Sequence, residues 1–234
     1  MVSAPTKIAE RASPKWITDM NRYPVFFEET FLNEGYFQKL PKDKGNWYKG
    51  KLYGTICGIT ARDHFKEFKI AYELYDMKCF ESLKTYAMNF YKKKGYWKDG
   101  FNDIADSSLA FKLFDLGVNM GQMTAIKLLQ KTLIKHYDID IMPTGILTQE
   151  TIQEANRAFL SPSNGKYSIN YVEGESVLYA CYIHEANKYY KSLKGFGRFG
   201  RTWLRRLFTT NNDAPNILNI DIAARPPERI KLNC

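Results

Sequence analysis

Three oxygen-bearing side chains near the front of the chain, Glu34, Asp43 and Thr55, have the types and the order of a small acid–base site. Glu34 ends an apolar helical run and is followed by Gly35, a residue suited to a helix C-terminal cap. A carboxyl group there faces the negative end of the helix macrodipole, and a setting of Phe and Tyr further disfavours its charged form. Glycoside cleavage calls for such an acid, because the leaving oxygen must receive a proton as positive charge develops on the sugar. Asp43, in the polar stretch "KDKGN", is suited to orient water or to offset that positive charge. Thr55, which opens "TICGIT", can hold the water or a sugar hydroxyl. Each residue also has a plain structural reading: a solvated helix end, a turn former and a strand residue.

The elements that must position these groups follow from periodicity. A helix is expected from Tyr23, with Pro24 in its first turn and Phe27, Phe31 and Leu32 on one face. Residues Tyr36 to Lys51 read as a loop and Leu52 to Ile59 as a short β-hairpin or a pair of strands. Thr60 and Asp63 resemble a capping box for the next helix, "ARDHFKEFKIAYELY". Further helices are expected over Phe80 to Tyr91, Ser108 to Leu116, "GQMTAIKLLQKTLIKHY", "QETIQEANRAF" capped by Thr148, Glu175 to Leu193, and Arg201 to Phe208. The fold class is therefore mainly α, a helical bundle with one small β-hairpin. Residues 1–20 form a polar lead-in and 210–234 a polar, Pro-containing tail.

Composition bounds the partners. With 44% hydrophobic and 15% aromatic residues in 234, the chain can bury a substantial core. No window approaches the run of about 20 apolar residues that crosses a bilayer, and the N-terminus has no apolar signal-peptide region. Cys57, Cys79, Cys181 and Cys234 lie far apart and are expected as reduced thiols. His64, His136 and His184 have no metal-ligand spacing, so no metal or other cofactor is expected. The net charge of +9 suits a polyanionic partner: nucleic acid, anionic membrane, or a bacterial wall with its teichoic acids and peptide carboxylates. Basic residues concentrate only in "KYYKSLKGFGRFGRTWLRRLF", which is equally a solvated face. Recognisable RNA-binding, zinc-finger and helix-turn-helix signatures are missing, which disfavours nucleic acid.

Several motifs occur in a collinear order. Glu34-Gly35 is followed by "PKDKGN" with Asp43 and Gly45, then by Thr55-Ile56-Cys57-Gly58-Ile59-Thr60, Tyr96-Trp97, "LFDLGVNMG", "AIKLLQKTL", "PTGILTQETI" and "FGRFGRTWLRR". From about Phe26 to Leu207 this order resembles the glycoside hydrolase family 108 lysozymes, phage endolysins and prophage-type muramidases of the lysozyme superfamily. Two positions depart from the family pattern: Tyr36 stands for the second glycine of Glu-Gly-Gly-Tyr, and Cys57 stands for a tyrosine.

The resemblance implies a lysozyme-like catalytic lobe over residues 21–106 and a helical, peptidoglycan-binding-like lobe over 107–209. It implies hydrolysis of the β-1,4 bond from N-acetylmuramic acid to N-acetylglucosamine, with Glu34 as general acid and Asp43 and Thr55 at the attacking water. Tyr36, Trp47, Tyr48, Tyr53, Trp97 and Phe101 become candidate sugar-stacking rings, against core packing as the commoner use of an aromatic. Thr60 becomes a substrate contact, and Asn119 a brace of the cleft or simply a helix-end residue. The expected partner is peptidoglycan, with an anionic wall or outer-membrane surface as a second contact for the basic helix. The expected location is the cytoplasm of a host bacterium before release to the wall, or a phage particle. The alternative is a non-catalytic wall-binding or tail structural protein of the same fold.

Overall fold

A computed structural model describes residues 21–160 and 176–208. The lead-in and the C-terminal tail lie outside the described residues. The first helix, α1 (Tyr23–Glu34), starts with proline at its N-terminus and stops at Gly35, whose φ of 64° and backbone bond to Phe31 close the last turn as expected. The buried face of α1 is Tyr23, Phe26, Phe27, Thr30 and Phe31.

The β part is larger than the single hairpin expected. Strand β1 (Phe37–Gln38) follows α1 directly, then β2 (Trp47–Tyr48), β3 (Lys51–Leu52), β4 (Thr55–Ile56) and β5 (Ile59–Thr60). β1, β4 and β5 form a three-stranded antiparallel sheet, with Phe37 opposite Ile56 and Ile56 opposite Ile59, while β2 and β3 pair separately. Both tight turns carry two positive φ angles in succession, Lys49-Gly50 (46° and 77°) and Cys57-Gly58 (50° and 76°). That is the type I′ geometry, whose twist matches the strands it joins. Lys-Gly and Cys-Gly are weaker hairpin signals than Asn-Gly, which is why one pair went unread.

Helices α2 (Phe65–Asp76), α3 (Phe80–Lys93), α4 (Ser107–Met120), α5 (Gln122–Tyr137), α6 (Gln149–Leu160), α7 (Val177–Ser192) and α8 (Phe196–Phe208) complete the described chain. The Thr60–Asp63 hydrogen bonds form, with the Thr60 hydroxyl donating to Asp63 Oδ2 at 2.9 Å, but they close a turn before α2 and do not cap it. Thr148 does cap α6, accepting from the Thr151 N–H at 3.1 Å. Helix α8 begins earlier than expected, because buried Gly200 lets the Phe196 ring lie where a Cβ would be, at 2.8 Å. Of the two glycines that disguise the helix in sequence, Gly200 makes this close approach, while Gly197 faces open space.

α4 is the central element. Every residue from Leu109 to Gly117 is buried, so the helix is surrounded on all sides rather than amphipathic. The core it organises runs continuously from Tyr23 to Leu207. Two of the buried residues in α4 are charged, Lys112 and Asp115, both fully shielded from solvent. Their partners define the site.

Candidate active site

The carboxyl end of α1 brings Glu34 to a junction of four elements. Its side chain is 16% exposed. On one side lies the Cys57–Gly58 turn of the β4–β5 hairpin: a Cβ placed on Gly58 would meet Glu34 Oε2 at 2.7 Å and the Tyr91 hydroxyl oxygen at 2.0 Å. That turn is locked from α3, since the Tyr91 hydroxyl donates to the Cys57 carbonyl at 2.8 Å. On the other side lies Arg206 of α8, whose Nη1 donates to Glu34 Oε1 across 172 positions of chain.

Arg206 also binds α4. Its Nε and Nη2 donate to Asp115 Oδ1 at 3.1 and 2.8 Å, and Nη2 donates to the Asp115 carbonyl at 2.9 Å. Asn33 of α1 donates to the same Oδ1 at 3.3 Å. Lys112 donates to the Arg206 carbonyl at 3.0 Å, and its Nζ lies 3.8 Å from Asp115 Oδ2. Burial alone would loosen the guanidinium proton, but the two carboxylates outweigh it and hold Arg206 charged. The apolar setting expected for Glu34 is thus only half of its surroundings. The buried Tyr91 is there, and so is a cation supplied from the far end of the described chain.

The field of Glu34 reaches several hydroxyl and thiol groups. Burial, with the Glu34 charge adding to it, pushes the Cys57 thiol up to about 12. Burial raises the Tyr96 hydroxyl, and both Asp63 and Glu34 raise it further. Half-buried Tyr96 therefore lies within the field of two carboxylates on different elements, beside Tyr91 and Phe90.

The other residues singled out in the sequence each have local partners of their own. Asp43 caps the short 3-10 turn after it, accepting from the Gly45 N–H at 2.8 Å. Thr55 is buried, and its hydroxyl donates to Asn46 Oδ1 at 2.6 Å, so it fastens the loop to the sheet. Thr60 is held by Asp63. Tyr36 is half-buried edge-on against Phe31 and Phe80, and Tyr53 packs on Phe65 and Phe68. Trp47 is exposed, with its indole N–H donating to the Pro41 carbonyl at 2.9 Å. Asn119 accepts from the Tyr190 hydroxyl at 2.7 Å, which ties the end of α4 to α7.

Trp97 and Phe101 are corrections. Trp97 is 5% exposed and enclosed by Tyr23, Phe26, Phe101 and Phe114 at ring distances of 4.9 to 6.1 Å, so it is core rather than a sugar platform. Phe101 is fully buried in the same cluster. Asp115, Arg206, Lys112, Gly58 and Tyr91 were missed. The available signal was a Lys and an Asp three positions apart in the otherwise apolar run "LAFKLFDLG" of a buried helix, where each charge demands a partner.

Residues 27–121 match the model of the family described as Glycosyl hydrolase 108. The matched segment covers less than half of the chain. It contains Glu34, the β4–β5 hairpin, Tyr91 and Asp115, and it ends before α5, so Arg206 lies beyond it. The fold extends further: the solved structure of Brucella abortus SagA, 18% identical, superposes with a TM-score of 0.52 over 79% of this chain and 88% of that one. No curated protein sequence matches the chain.

Proposed function

We propose that the protein is a peptidoglycan-degrading muramidase that hydrolyses the β-1,4 bond from N-acetylmuramic acid to N-acetylglucosamine, with Glu34 as the general acid. The observation that carries this reading is the place of Glu34. It is a partly exposed carboxyl at the end of α1, fixed between the Gly58 turn and Arg206, inside the segment that matches the glycosyl hydrolase 108 model. Proton donation to the leaving oxygen is the step such a group performs. Asp43 and Thr55 are the proposed holders of the attacking water. Asp43 would act by its second carboxylate oxygen, since Oδ1 is engaged by Gly45. Tyr36, Trp47 and Tyr53 remain proposed sugar contacts, with Thr60 beside them and Asn119 as a brace.

The test is release of new reducing ends from purified peptidoglycan by the wild type and by Glu34→Gln. The route to the wall proposed here is accumulation in a host bacterium's cytoplasm, or carriage in a phage particle, followed by release; a processed N-terminus would count against it.

A second reading has one observation in its favour. Glu34 Oε1 is engaged by the buried Arg206 guanidinium, so this carboxyl also serves as a structural partner that ties α1 to α8. A wall-binding protein of the same fold that no longer cleaves would retain affinity for peptidoglycan and release no reducing ends.

A further inference from the structure

Resting on Glu34 as the acid, we infer that Arg206 is the positioning residue that commits one oxygen of Glu34 to the protein and leaves the other for the leaving group. The guanidinium is oriented first by α4. Two of its three nitrogens, Nε and Nη2, are spent on Asp115 Oδ1, and Nη2 also reaches the Asp115 carbonyl, which fixes the plane of the fork. The remaining nitrogen, Nη1, then points at Glu34 Oε1. Oε1 is thereby engaged, and Oε2 lies against the Gly58 turn, where a glycine is needed to leave it room. Oε2 is the oxygen left to face the leaving group.

The charges around this pair come from every element that packs on it. Arg206 is from α8, Asp115 and Lys112 are from α4, the Cys57 thiol is from the hairpin, Tyr91 is from α3, and Tyr190 is from α7. Arg206 lies between the two carboxylates and is 8% exposed, so it acts through Glu34 and not on the sugar. A lysine cannot take this role, because a single ammonium cannot span Asp115 and Glu34 in a fixed plane. The site is also incomplete without α8, so the segment that matches the glycosyl hydrolase 108 model borrows its brace from a helix beyond its own end.

The experiment compares wild type, Arg206→Lys and Arg206→Met in full-length protein. In Arg206→Lys, kcat should fall ~10- to 100-fold with KM within about threefold, because the acid is misplaced and the sugar contacts are not. A raised KM at unchanged kcat, or wild-type kinetics in folded Arg206→Lys, overturns the proposal. If Arg206→Met does not fold, the lysine variant carries the test alone. Urea unfolding of Glu34→Gln, Arg206→Lys and the double variant gives a readout without activity. The two substitutions should be clearly non-additive in midpoint, and strict additivity contradicts the contact. An inactive wild type with non-additive midpoints would sink the muramidase reading while leaving the brace in place.

Discussion

Gly58 and Tyr91 approach so closely that a single methyl group on Gly58 would lie 2.0 Å from the tyrosine hydroxyl oxygen. The hydroxyl holds the carbonyl of the neighbouring Cys57, so the hairpin turn and α3 are fixed to each other beside Glu34. Gly58 also has a φ of 76°, a conformation that costs any L side chain energy. Two independent constraints thus require glycine at this position.

Gly58→Ala should therefore destabilise the protein by ~1–3 kcal/mol and lower activity more than stability alone explains, since Glu34 Oε2 must also move. Urea unfolding and initial rates on peptidoglycan check it. An alanine variant with wild-type rates would mean that the turn and Glu34 are not coupled.

Asp115→Asn should be among the costliest substitutions in the chain. Asp115 is fully buried against Arg206 and Lys112, and removing its charge leaves two buried cations undercompensated, at a cost of ~3–5 kcal/mol. By contrast, Asp63→Asn at the exposed Arg62 pair should change stability by less than ~1 kcal/mol. Equal effects in chemical denaturation would contradict the burial argument.

Trp97→Ala and Trp47→Ala should separate core from surface. Emptying the Trp97 site among Tyr23, Phe26, Phe101 and Phe114 should cost ~3–5 kcal/mol. Trp47 is 37% exposed, so its loss should leave the unfolding midpoint nearly unchanged and raise KM for peptidoglycan. A large stability loss at Trp47 with unchanged KM would remove it from the sugar contacts.

Alkaline pH should weaken the fold through buried thiols and phenols. Burial lifts the Cys57 thiol to about 12 and the Cys181 thiol to about 11, and burial holds the Tyr91 and Tyr182 hydroxyls well above their usual value. Above about pH 8.5 the unfolded chain begins to release these protons while the folded chain keeps them. Stability therefore falls as pH rises. The contribution is full below the unfolded thiol range and lost as pH climbs through about 12. A urea midpoint that stays level from pH 7 to 11 would contradict this.

The local half of the site was legible because its signals are local. Pro24, the apolar stripe and Gly35 bracket α1 within a few residues and put Glu34 at its end. The long-range half was not. Arg206 reaches Glu34 across 172 positions, and in "WLRRLF" nothing local says that Arg206 turns inward while Arg205 stays exposed. Thr60 and Asp63 show how a correct pairing can mislead, for their hydrogen bonds form on a turn and not on a helix. Trp97 was misread because burial of an aromatic depends on what α4 and α1 bring around it, which its own neighbours do not encode.

The central claim is that Glu34 delivers the proton that breaks a glycosidic bond in peptidoglycan. The most direct measurement is release of reducing ends from purified peptidoglycan by wild type and Glu34→Gln, with mass spectrometry of the fragments. The account predicts wild-type fragments ending in reducing N-acetylmuramic acid and a loss of at least ~100-fold in the variant. Equal release by both proteins would contradict it and move the acid elsewhere. No release by either, with wall binding intact, would favour the non-cleaving protein.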